Sequence, residues 1–120
     1  MKYVLLIHQG DTPTPYDAEA WERLPDEDKQ AIFADYQAIN ETPGVSPGLQ
    51  MQPPQAATTI RVRGGRTLAT DGPFAETKES LGGWLVYETD DPQAAHALAA
   101  RIPAARYGGA VEVRPVVERG

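Results

Sequence analysis

The sequence predicts one α+β domain in which two helices lie on one face of an antiparallel sheet. Three observations lead there. Residues 3–7 and 84–87 are short runs, apolar at consecutive positions and rich in β-branched and aromatic side chains, which is how central strands read. Two longer segments carry apolar residues three and four apart between helix start and stop signals. Between them, Gly64-Gly65 separates two alternating runs and marks a hairpin. At 120 residues the chain suits a single core spanning 1–120, since a domain of this size buries roughly two thirds of the surface its unfolded chain exposes.

Taken in order, Lys2-Tyr3-Val4-Leu5-Leu6-Ile7-His8 is the first strand, and Gly10 and Pro13 end it. Residues 11–15 form a turn cluster, and Asp17 can cap a short helical turn carrying Trp21 and Leu24. The first main helix starts near Pro25, whose missing N–H costs nothing at a first helical position. Asp26, Glu27 and Asp28 complement the positive end of its dipole. Its apolar stripe is Ile32, Phe33, Tyr36 and Ile39, and Asn40, Pro43 and Gly44 stop it. Residues 42–54 hold four prolines and two glycines and are mostly loop, with room for one short strand around residues 49–52. Residues 58–63 alternate well enough for a strand, and residues 66–70 return beside them. Gly82-Gly83 introduces the strand Trp84-Leu85-Val86-Tyr87-Glu88. Asp90 or Asp91 with Pro92 starts a second, alanine-rich helix that runs to Ile102. After Pro103 and Gly108-Gly109, Val111-Glu112-Val113-Arg114 alternates apolar with charged and closes the domain as a strand.

This order matches a ferredoxin-like split β-α-β arrangement with an added hairpin. Both helices then cover one face of the sheet. Had the other face met water, the central strands would alternate apolar and polar, yet residues 3–7 and 84–87 are apolar on both parities. A second copy is the most economical cover, so a homodimer is expected. The alternative is that Trp21, Trp84 and the hairpin fold back over the sheet within one chain.

Composition narrows the function. No stretch approaches the roughly 20 apolar residues that cross a bilayer, so no membrane partner is expected. The opening run meets His8 and Gln9 too soon for a signal peptide, and a cytoplasmic location is expected. There are no cysteines, which excludes disulfides, thiolate metal sites and cysteine nucleophiles. The net charge of −6 argues against a nucleic-acid partner. No dinucleotide fingerprint, P-loop, zinc-protease helix, nucleophile elbow or calcium loop occurs, and no spacing singles out ligands for a metal, so neither cofactor nor metal is expected.

Asp71-Gly72-Pro73-Phe74, followed by Ala75-Glu76-Thr77-Lys78-Glu79 and Gly82-Gly83, resembles the signature of the DGPF group within the YCII-related proteins. The opening residues 1–6, the hairpin start at residues 58–65 and the closing residues 109–115 are similar to that family as well, so the resemblance covers nearly the whole chain. It implies a ferredoxin-like domain pairing as a dimeric α/β barrel, with a pocket between sheet and helices and no securely established activity. It also implies that association with a sigma factor is open to such a protein. More distant relatives are suspected of enzymatic work with a histidine and an aspartate.

The motif also has a physical reading. An aspartate usually accepts from the backbone N–H two residues ahead, but Pro73 has none, so the Asp71 carboxylate needs another partner. Gly72 and Pro73 together can aim Asp71 and Phe74 in defined directions, and Lys78 and Glu79 are near enough to return toward that carboxylate. Such a cluster could tune a carboxyl for proton transfer. A purely structural turn, with Phe74 in the core or a dimer interface and Lys78 paired to a carboxylate, accounts for the same residues. His8 at a strand end suits a structural or an acid–base role, and His96 is expected at the surface. Arg61, Arg63, Arg66 and Arg114 could recognise a carboxylate or phosphate, or form solvated pairs. Convergence of two of them would decide.

Two functions follow. The first is a small-molecule-binding protein or cofactor-independent enzyme. Here Asp71 acts as base or anchor, His8 assists, Lys78 or Arg114 neutralises developing charge, and Phe74, Glu79 and Arg114 contact the ligand. The second is a regulatory or interaction module in which the motif is a structural clasp.

Overall fold

The computed structural model describes residues 1–14, 18–72 and 81–118. The first strand, β1 (Lys2–His8), is followed by a short helix α1 (Ala18–Arg23) and the long helix α2 (Asp26–Asn40). Pro25 stands just before α2 and accepts from the N–H groups of Asp28 and Lys29 at 3.0 and 3.1 Å, so the three acids follow in the first turn as the dipole argument requires. Strand β2 (Val45–Gln50) follows the tight turn at Gly44, where φ is +94°. It begins earlier than residues 49–52, because Gly44 reverses the chain at once and leaves Val45 opposite Tyr87.

Strands β3 (Thr58–Arg63) and β4 (Arg66–Asp71) form the hairpin. Gly64 and Gly65 both have positive φ, +56° and +74°, the conformation a two-residue turn needs to match the strand twist. Strand β5 (Leu81–Glu88), helix α3 (Pro92–Arg101) and strand β6 (Ala110–Pro115) complete the chain. Asp91 caps α3 by accepting from the Gln93 N–H at 3.0 Å, with Pro92 in the first turn.

The main sheet has the order β2-β5-β1-β6, and its neighbours are antiparallel. Strand β5 lies between β1 and β2, and β1 lies between β5 and β6, so both strand–helix–strand units are split. This is the ferredoxin-like arrangement that the element order predicts. Tyr3, Leu5 and Ile7 of β1, with Leu85 of β5, turn to the helix layer. There they join Ile39, Ala95, Leu98, Ala99, Ile102 and Ala104 in the core. Of the expected α2 stripe, Ile32 and Ile39 are buried and Tyr36 is half-buried, but Phe33 is 59% exposed. One residue beyond Ile32 is a rotation of about 100° around a helix, which carries Phe33 off the core side and against the edge of the Trp21 ring, centroids 5.6 Å apart.

Strands β3 and β4 form a sheet of their own. All of their residues except the half-buried Thr59 are exposed, so the hairpin does not fold back over the main sheet. It is an arm. The radius of gyration, 16.3 Å, exceeds the about 13.6 Å expected for a compact chain of this length, as a projecting element requires. At the arm's root the Gly72 N–H donates to Ala57 O at 2.7 Å and the Thr59 hydroxyl donates to Gly72 O at 2.8 Å. No helix among the described residues is long and apolar enough to cross a membrane.

Candidate functional site on the open sheet face

Strand alternation and register decide which side chains meet. With Tyr3, Leu5 and Ile7 turned to the helices, Val4, Leu6 and His8 stand on the opposite face. Leu6 lies between Trp84 of β5 and Glu112 of β6, and Val4 lies between Val86 and Arg114. The open face is therefore an apolar centre of Val4, Leu6, Trp84 and Val86, all half-buried, with His8, Glu112 and Arg114 along the β1–β6 side.

These three ionisable groups form one cluster. His8 Nε2 stands 3.6 Å from Glu112 Oε1, an ion-pair separation, while the Arg114 guanidinium donates to the other carboxylate oxygen through Nε at 2.8 Å and through its terminal nitrogen. Hydrogen bonds from Arg114, with a smaller contribution from His8, hold the Glu112 carboxyl below the usual carboxylate range. Glu112 is thus ionised throughout the neutral range. It can orient the His8 imidazole, as a carboxylate behind a proton-carrying histidine does.

Gly109 lies against the end of β1 beside this cluster. A Cβ there would sit 2.3 Å from His8 O and 2.5 Å from Gln9 O, so only glycine lets the chain entering β6 approach the His8 backbone this closely.

The residues expected from sequence divide between two places. His8 and Arg114 come together through Glu112, which along the sequence is only the charged member of an alternating strand. Glu112 shares its parity with Arg114 two residues on, but nothing local says that β6 pairs with β1 in the register that brings it to His8. Asp71 ends β4 at the root of the arm, with its side chain exposed. Phe74, Lys78 and Glu79 lie outside the described residues. His96 is exposed on α3, as expected. It borders a shallow depression of about 290 Å³ lined also by Ala99, Ala100, Ala105, Val111 and Val113. Val111 and Val113 have the opposite parity to Glu112, so this depression faces the helix layer and is separate from the ionisable cluster. Among the described residues, no group of three or more His, Asp or Glu side chains is arranged to hold a metal.

The fold and the cluster define a ferredoxin-like α+β domain carrying an imidazole–carboxylate–guanidinium set on its open sheet face. The model of the YCII-related domain matches residues 1–119, and the chain belongs to that family. It is also similar to an uncharacterised protein of Rhizobium meliloti (strain 1021), with 31% identity over 121 aligned residues, covering 97% of this chain and 92% of that protein.

Proposed function

We propose that the protein is a cytoplasmic homodimer that binds a small, partly apolar molecule against the open sheet face and moves a proton through His8. The observation that carries this reading is the Glu112 carboxylate shared between His8 and Arg114, on the same sheet face as Trp84 with Leu6 standing between them. Trp84, Leu6 and Val86 supply apolar surface, and the guanidinium of Arg114, 65% exposed, can meet an ionisable oxygen of the ligand while remaining on Glu112. His8 then donates or accepts the proton, and Glu112 steadies the imidazolium. No cofactor is required for such a step.

Pairing of two open faces as a dimeric barrel is the arrangement that buries Val4, Leu6, Trp84 and Val86 and walls the site off from water. Apolar side chains on both parities of β1 and β5 support it. Asp71, exposed at the root of the arm, is the candidate base or anchor of this reading outside the cluster.

The test is a fragment screen by amide NMR with small aromatic and aliphatic carboxylic acids. Hits should shift the resonances of His8, Trp84, Glu112 and Arg114, and His8→Ala should abolish turnover of any hit that reacts. Fragments that leave those resonances in place would end the proposal. The competing reading, a regulatory module for a partner of the sigma-factor type, draws on the same exposed arm; it gains if no fragment binds and a sigma-factor domain shifts the arm's resonances instead.

A further inference from the structure

The arm is hard to account for in a single chain. An isolated two-stranded hairpin is marginal in water, and this one leaves Ile60, Val62 and Leu68 exposed at 55, 66 and 43%, with apolar groups on both of its faces. Arg63 and Arg66 are directly opposite one another next to the turn, a cross-strand pairing of like charges that costs stability unless an anionic surface meets it. Residues 58–71 contain three arginines and one aspartate, a formal +2, so the rest of a chain of net charge −6 carries −8.

A matching surface exists on α1 and α2. Residues 18–35 hold six acids, Glu19, Glu22, Asp26, Glu27, Asp28 and Asp35, against Arg23 and Lys29, with Asp35 paired to Arg106. Arg23 pairs with Glu19 and Lys29 with Asp26, which leaves Glu22 and Glu27 exposed and without an ion-pair partner among the described residues. Beside these acids stands the Trp21–Phe33 pair, with Phe33 mostly exposed. An acidic surface with exposed aromatic rings complements a basic arm with exposed aliphatic side chains in both respects.

Within one chain the arm's root and the start of α2 lie at the same end of the sheet. The arm leaves the sheet where Gln50 pairs with Gly83 and His8 with Leu81. Since Val45 pairs with Tyr87 at the far end, α2 must start at the same end as the arm's root. A strand of six residues spans about 20 Å, so the arm reaches well beyond the sheet it leaves.

We propose that the β3–β4 hairpin is an exchange arm that docks on the acidic α1–α2 surface of a second copy of this chain. The proposal rests on the homodimer reading above and adds a second contact to it. The test is sedimentation equilibrium at low salt on the full chain, on Arg63→Glu/Arg66→Glu, on Glu22→Lys/Glu27→Lys, and on an equimolar mixture of the two variants. All four positions are exposed, and circular dichroism verifies that each variant is folded. Each variant alone should dimerise more weakly, on the order of tenfold or more, because every arm now meets a surface of its own sign. The mixture should recover, since a reversed arm then meets a reversed surface and an original arm an original one. Variants that dimerise as tightly as the parent would overturn the exchange arm while leaving the sheet-face dimer intact. Weakening without recovery would overturn the α1–α2 docking site. A parent chain that stays monomeric would overturn both readings. As a second measurement, the cysteine-free background allows a Thr67→Cys chain and a Gln30→Cys chain to be mixed with a short bismaleimide; a dimer in which these two fail to link would also count against the proposal.

Discussion

Truncating Leu5 to alanine tests the core and the open face together when it is paired with the same change at Leu6. Leu5 is fully buried at the centre of β1, opposite Leu85 on one side and Val113 on the other. Removing a leucine side chain from such a site costs about 3–4 kcal/mol, the lost transfer energy plus the cavity left behind. With an unfolding entropy of about 0.25 kcal/mol/K for a chain of this length, the melting temperature should fall by about 12–16 °C in thermal unfolding followed by circular dichroism. Leu6 has the opposite parity and is half-buried. In a solitary chain its truncation should cost about 1 kcal/mol, because much of the side chain already meets water. Under a second copy it should cost nearly as much as Leu5→Ala, and the melting temperature should then rise with protein concentration. A Leu5→Ala loss below about 1 kcal/mol would refute the placement of β1 at the centre of the core. A small, concentration-independent loss at Leu6 would refute the covered sheet face.

Arg114→Ala removes the main cause of the low Glu112 pKa, so the carboxyl titration seen by NMR should move up toward the ordinary glutamate range. The sign follows from linkage: the depressed group contributes stability above its unfolded pKa and loses it as pH falls through its folded pKa, so acid sensitivity should shrink in the variant. An unmoved Glu112 titration would break the proposed cluster. Asp91→Ala removes the cap of α3 and should cost about 1 kcal/mol in chemical denaturation, with Asp91→Asn recovering most of it. Equal losses in the two variants would mean that the charge, rather than the hydrogen bond to Gln93, is what the helix needs.

Much of this architecture is local and therefore legible along the chain. Consecutive apolar residues mark β1 and β5 as central, Asp91-Pro92 starts α3, and Gly64-Gly65 can serve a hairpin turn because both positions require positive φ. Each of these follows from the preferences of a few neighbouring residues. The position of β2 was not legible, since the proline-rich stretch pairs as a strand only because β5 presents an edge to it. Phe33 was misread as core for a related reason: helical spacing defines a stripe about a third of the circumference wide, and only the packed sheet decides where that stripe ends.

The site depended still more on tertiary structure. His8 and Arg114 stand out singly in the sequence, but the carboxylate that joins them follows from the register of β1 against β6, a pairing of residues more than a hundred positions apart. Sequence alone fixed which residues could carry charge or apolar surface. Only the fold decided which face each occupies, because a one-residue slip of β6 would send Glu112 and Arg114 into the helix layer and away from His8.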